Sequence, residues 1–182
     1  MSSCVCDVLP RLETASMVTF VFHASELRRS TNTGFLAARA LGAERRVHDG
    51  PLDGVRGLLL VAGAGRVLEP GDRGTPLTFL DGSWRQVRRM VRKRRELQAL
   101  TPVSLPVRDE SSYPLREGRR FDELSTLEAA AIAMGIVESP EHETALRTLL
   151  DAFVQRTLEL RGRHPSGGQT GVGQEPGSDG SV

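Results

Sequence analysis

Residues 81 to 84, Asp-Gly-Ser-Trp, set a carboxylate, a hydroxyl and the chain's single tryptophan directly before a basic segment. Seven of the eleven residues from Arg85 to Arg95 are Arg or Lys, and the first acid after them is Glu96. A carboxylate here can accept a proton or hold a cationic group of a ligand. Arginines in this density suit bidentate contacts to phosphate. Two cysteines, Cys4 and Cys6, supply half of a structural zinc site, which needs four protein ligands, so two reduced thiols are the expectation. VAGAGRVLEPG invites comparison with a dinucleotide fingerprint and fails it. Its glycines fall at 63 and 65, Leu68 stands in the third required position, and Pro70-Gly71 break the helix that should follow. A glycine-rich turn is the better reading.

These side chains need elements to position them. MVTFVF (17–22), GLLLV (57–61) and LTFL (77–80) read as buried strands, with PVSLPV (102–107) a fourth weakened by its prolines. Asn32-Thr33 caps a short helix, GFLAARAL, that Gly42 ends. Ser83-Trp84-Arg85-Gln86 is a capping box opening a helix to about Leu97, and Ser125-Thr126-Leu127-Glu128 opens another through Met134 that Gly135 stops. Capping alone accounts for Ser125 and Glu128. Ser139-Pro140 starts a last helix carrying Leu146, Leu149, Leu150, Phe153 and Leu160 before Gly162. Strands alternating with helices predict one α/β domain with a largely parallel sheet flanked by helices. Residues 162–182 hold seven glycines and no aromatic side chain, which predicts a disordered tail.

The 182 residues carry a net charge of +1 and an ordinary apolar share, enough for a real core. No apolar run approaches the roughly 20 residues that span a bilayer, and the N-terminus lacks a signal peptide's basic and apolar regions. The expectation is a cytoplasmic protein with no membrane partner.

Asp81 falls at the carboxyl end of a strand, where ligands gather in open α/β sheets. The amides of the following helix favour an anionic group in the same space. Helical spacing puts Arg85, Arg88, Arg89 and Arg92 on one face, with Lys93 beside them. A small-ligand site next to a polyanion is the simplest functional reading. The residues leave other roles open: Asp81 bonded only within its loop, Trp84 in the core, a basic face that is merely solvated, and Tyr113 and Arg116 of ESSYPLREG as loop packing and surface charge.

LDGSWRQVRRM resembles the D-x-[ST]-W signature of the DTW-domain family. The resemblance continues through SSYPLR and LSTLEAAAIAM. Upstream, CVCDVLPRLET, FVFHASELRRSTNTGFLAARAL and the LLLVAGAG to LEPGD region follow the family's order and spacing, so that most of residues 4 to 160 is covered. The resemblance implies a DTW domain over residues 1–161 with a SPOUT-like fold and a C-terminal knot. It implies transfer of the 3-amino-3-carboxypropyl group of S-adenosylmethionine to N3 of a tRNA uridine. A methyltransferase using the same cofactor and a non-catalytic RNA-binding member are the alternatives. Asp81 becomes the candidate proton acceptor or ligand of the cofactor's amino group. Gly82, Ser83, Trp84, Leu124, Ser125, Thr126 and Glu128 become candidate cofactor contacts, and Arg85, Arg88, Arg89, Arg92, Lys93 and Arg116 RNA contacts. His23, Glu26, Asn32 and Thr33 match a block placed near the same pocket. Two departures are visible, Ser83 for the usual threonine and Ala24 for a usual proline. The family's cysteine pair ahead of Cys4-x-Cys6 has no counterpart here. Residues 1–12 then stand either for a truncated metal knuckle or for a member without one, and zinc is left open.

Overall fold

The apolar runs become parallel strands in the computed structural model, which describes residues 4–29, 31–63, 65–106 and 124–160. In chain order the elements are β1 (Val18–Phe22), α1 (Thr33–Ala40), β2 (Glu44–Val47), β3 (Leu58–Leu60), β4 (Arg66–Val67) and β5 (Leu77–Asp81). Then come α2 (Trp84–Lys93), α3 (Arg95–Gln98), β6 (Thr101–Ser104), α4 (Thr126–Val137) and α5 (Pro140–Leu160). Among the described residues every strand pairing is parallel, and the sheet order is β2-β1-β5-β3-β6-β4. Of the four strands expected from the sequence, the three apolar ones are β1, β3 and β5, adjacent in the middle of the sheet, and the fourth is β6. No described helix is long and apolar enough to cross a membrane.

Period-two alternation along the strands divides the core between two faces. Phe20, Phe22, Leu58, Leu60 and Phe79 pack with α1, α4 and α5, and Phe20 stacks on Phe79 at 4.8 Å between ring centres. Val21 and Leu59 point the other way, onto Met90 of α2 and Leu97 of α3. Helices thus cover both faces, as a parallel sheet requires.

Two local expectations are corrected. The helix opened by Ser83 stops at Lys93, short of Leu97, because Arg94 leaves helical geometry (φ −117°, ψ 110°). Its guanidinium donates to Gly50 O at 2.9 Å and to His48 O, and pairs with Glu96 at 2.7 Å. Tertiary hydrogen bonds outweigh the local helical preference there. Gly135 does not end its helix. α4 runs on to Val137, and a Cβ at Gly135 would lie 2.8 Å from Glu143 Cβ on α5. The glycine is a contact between helices, not a stop.

The glycine-rich turn and the fourth expected strand are both present, the strand as β6 despite Pro102. Val103 of β6 pairs with Leu60 on one side and Arg66 on the other. The chain between β3 and β4 therefore crosses β6 from one flank to the other. Gly63 and Gly65 take positive φ (63° and 68°), and a Cβ on Gly65 would collide with Pro102 O. The turn is a strap over a later strand. Pro102 is tolerated inside the sheet because Thr101 N–H and Val103 O face β3, through Gly57 O and Val61 N–H. The donor-less nitrogen of Pro102 faces the opposite flank, where β4 begins only opposite Val103. The predicted tail, residues 162–182, lies outside the described residues.

Replacing Arg94 by Met keeps the stem and removes the donors to two loop carbonyls. Urea unfolding is expected to show a loss of about 1–3 kcal/mol. An unchanged midpoint would mean that Arg94 does not hold the break between α2 and α3.

Candidate functional site

Asp81 continues the Leu77–Phe79 parity of β5, so its side chain points to the α1 and α4 side of the sheet. There it is 5% exposed. Asn32 Nδ2 donates to Oδ2 at 2.7 Å and Thr126 Oγ1 to Oδ1 at 2.5 Å. Asn32 is also the N-cap of α1, its Oδ1 accepting from Phe35 N–H at 2.7 Å. Thr126 is the first residue of α4, whose capping box is complete: Ser125 N–H to Glu128 Oε2 at 2.8 Å and Glu128 N–H to Ser125 Oγ at 3.2 Å. One carboxylate thus ties together the N-termini of two helices and the end of a central strand. Those partial positive helix ends favour its charge. Gly34, in the first turn of α1, makes the approach feasible, since a Cβ there would lie 2.5 Å from Asp81 Oδ1.

Beside this anchor a recess of about 80 Å³ opens at the carboxyl ends of β3 and β5. Four of the seven residues proposed as cofactor contacts line it: Gly82, Trp84, Leu124 and Thr126. Ser83, Ser125 and Glu128 do not, and serve the caps. Phe79, Leu80, Val87 and Ala129 make its other walls apolar. Through Val61, Ala62, Trp84 and Val87 the recess adjoins a larger cleft of about 380 Å³ running along α2.

The arginines lie in the other layer. α2 buries Met90, half-buries Val87 and Val91, and leaves Arg85, Arg88, Arg89, Arg92 and Lys93 exposed. Among the described residues none of these five makes an ion pair. Arg88 and Arg92 flank the larger cleft. Arg116 and Tyr113 lie outside the described residues. The sheet therefore separates the Asp81 carboxylate from the basic face, and the recess, walled by Thr126, and the cleft, walled by Arg88 and Arg92, lie between them.

Sequence reasoning missed a polar cluster joining the first turn of α2 to the exit of β1. Gln86 Oε1 accepts from Ser83 N–H at 2.7 Å, while its Nε2 reaches Ser25 Oγ at 2.9 Å and His23 Nδ1 at 3.2 Å. His23 stacks on His48 with ring centres 4.6 Å apart. His48 Nδ1 is buried with no hydrogen-bond partner among the described residues. Burial, and then the neighbouring His23, push the His48 imidazole below its ordinary value of 6.5. Of the upstream block, Asn32 meets Asp81 directly and Thr33 opens α1. Glu26 is buried and accepts from Asn32 Nδ2 through its backbone oxygen at 3.0 Å.

At the N-terminus, no disulfide joins Cys4 and Cys6, whose sulfurs lie 2.6 Å apart. The hydrogen bond from Cys4, followed by that of Arg39, holds the Cys6 thiol below its usual range. Among the described residues no cluster of three or more His, Cys, Asp or Glu is arranged to hold a metal.

Comparison with protein families matches a DTW domain to residues 62–158, from the strap after β3 to the end of α5. Comparison with curated proteins and with solved structures finds no match.

Gly34→Ala tests the anchor. Alanine improves helix propensity by about 1 kcal/mol, yet its methyl group displaces Asp81 from charged hydrogen bonds worth about 1.5–3 kcal/mol each. The sum should be a net loss in chemical denaturation, and a variant more stable than the parent would refute the close approach. The histidine stack makes a pH prediction. As pH falls below 6.5 the unfolded chain takes up the His48 proton before the folded one does, so stability present above 6.5 is lost with acidification. His48→Asn should flatten the melting temperature between pH 7 and 5.5. An identical slope in parent and variant would assign the effect elsewhere.

Proposed function

The chain belongs to the DTW domain family, and from that premise we propose that it transfers a 3-amino-3-carboxypropyl group from S-adenosylmethionine to N3 of a uridine in tRNA. Membership is consistent with a transferase acting on tRNA. The observation that carries the finer reading is the four-residue junction Asp81 to Trp84, inside the matched span. From it an apolar recess opens at the strand ends and a stripe of guanidinium groups, without ion pairs among the described residues, departs. A SPOUT-like arrangement with its knot belongs to the same reading. It is supported by the strap that carries the chain across β6, since passing a later strand between two joined earlier ones is what a knot needs.

At about 80 Å³ the recess is smaller than the whole donor, and it fits part of it by its chemistry. Apolar walls at Phe79, Leu80, Val87 and Ala129 suit a nucleoside, and the first turns of α2 and α4 suit a carboxylate. The N–H groups of Ser83 and Ser125 are already taken by Gln86 and Glu128, so the amides offered to a ligand come from the residues that follow each cap. When bound, S-adenosylmethionine supplies a carbon activated by its sulfonium. As N3 bonds to that carbon the C–S bond breaks, methylthioadenosine leaves and the N3 proton passes to water, so the protein's task is mainly alignment. Trp84, 36% exposed, stands between recess and cleft and separates the two substrates' sites. Arg85, Arg88, Arg89, Arg92 and Lys93 hold phosphates, giving affinity without reading bases.

Asp81 enters this reading as a positioning residue. Both its oxygens have donors in hand, and it is too buried to meet N3 unless Thr126 lets go. It fixes the Thr126 hydroxyl at the wall of the recess and Asn32 behind it.

Nucleoside mass spectrometry of tRNA incubated with the protein and S-adenosylmethionine should show an aminocarboxypropyl adduct on uridine, with release of methylthioadenosine. A methyl adduct would instead make the protein a methyltransferase, and no adduct at all would overturn the enzymatic reading. Asp81→Asn and Thr126→Val should both lower kcat, by roughly a hundredfold, with tRNA affinity little changed and Thr126→Ser close to the parent. Full turnover in Thr126→Val, with loss in Asp81→Asn, would make Asp81 itself the proton acceptor.

A further inference from the structure

We infer that the cleft along α2 is a slot for one unpaired nucleotide of RNA, with its base against the apolar lining and its phosphates on Arg88 and Arg92. The inference rests on the transferase reading only for the RNA being tRNA. Its volume of about 380 Å³ falls in the roughly 300–1,000 Å³ range of sites that take small ligands. Val61, Val87 and Val91, all half-buried, make its apolar lining, and Trp84 is shared with the recess. Arg88 and Arg92 stand at the rim. An apolar bed with cations at its edge matches the two halves of a nucleotide, a flat neutral base and an anion.

Charge complementarity selects nucleic acid. Arg85, Arg89 and Lys93 continue the stripe beyond the rim, exposed and without ion pairs among the described residues, so the surface next to the slot is set up for a run of phosphates. A base still stacked in a duplex cannot enter. The regular helix would touch α2 only through its backbone and leave the apolar lining unused, whereas a base taken out of the stack fills the slot. Four residues wall both spaces, Val61, Ala62, Trp84 and Val87. A base in the slot therefore lies one side chain away from the recess at the strand ends. Affinity here arises from stacking and apolar contact as well as charge, and so discriminates single from double strands.

The test uses the full chain with no donor present, and fluorescence anisotropy of a labelled oligouridylate, alone or annealed to oligoadenylate. The single strand should bind about tenfold more tightly than the duplex. Val91→Phe fills the slot from a position that does not line the recess. It should remove that preference while duplex binding persists. Arg92→Ala should weaken both and reduce the salt dependence of single-strand binding by somewhat under one unit of slope. Gln98→Phe obstructs the same cleft from α3 and serves if Val91→Phe fails to fold by circular dichroism. Equal or tighter duplex binding overturns the slot. So does an obstructing variant that binds the single strand as the parent does, or one that loses affinity for S-adenosylmethionine alone. Transfer to tRNA is read separately. Product without single-strand preference sinks the slot only, and single-strand preference without product sinks the transferase reading only.

Discussion

A carboxylate held almost out of solvent at the end of β5 fixes the geometry around it. α1 and α4 both present their N-termini there, and each carries a partial positive charge from its unpaired amides. Two like ends facing one another repel. Asp81 turns the repulsion into a clamp, one oxygen on Asn32 and the other on Thr126. The clamp is specific because each donor does a second job. Asn32 also caps α1 through its oxygen, and Thr126 sits at the first position of a helix whose box is closed by Ser125 and Glu128. Moving the carboxylate would disturb two helix starts at once, along with the wall of the recess that Thr126 provides.

Strand parity then decides what each neighbour of Asp81 can do. In β5 the side chains of Leu77, Phe79 and Asp81 share one face, and Leu80 takes the other. The next turn enters α2, which lies on the Leu80 side through Met90. Consecutive residues thus send an acid into one layer and a basic helix along the other. The separation matters electrostatically. An exposed carboxylate among the arginines would neutralise part of the stripe and repel phosphate, whereas one buried behind the sheet spends its charge on helix ends.

What the sequence shows and hides follows from range. The central strands were legible because they are short and apolar, with glycine or proline beside β3 and β5, and both capping boxes because they are local, i to i+3, devices. Asp81, Gly82, Trp84, Leu124 and Thr126 were picked out as candidates, and the structure does bring them to one place. The burial of Asp81 was not legible. It depends on which face of β5 meets α4, a contact 45 residues away in sequence. Gly34 left a faint signal, since glycine in a first helical turn is disfavoured unless something approaches closely. His48 and Arg94 left none. Arg94 sits in a run of identical charges and differs from its neighbours only in the carbonyls of His48 and Gly50 that it finds. Gly135 was misread because a glycine at a helix crossing and one at a helix end look the same without the partner helix. The edge strands β2 and β4 are polar or two residues long, and pairing alone defines them.

The strap across β6 links folding to the site. Val61 and Ala62 wall both the recess and the cleft, and they belong to the stretch that crosses from one flank of β6 to the other. They take that position only with Gly65 pressed against Pro102 and Val103 paired on both sides. β6 comes some 40 residues after β3, so neither cavity has its wall until that distant strand is in place. Closing such a loop costs entropy before any contact repays it. The repayment comes from Leu60 and Val103 entering one core and from α2 and α3 closing on the other face through Met90 and Leu97. The same event therefore completes the sheet, covers its second face and creates the two spaces that the proposed chemistry requires.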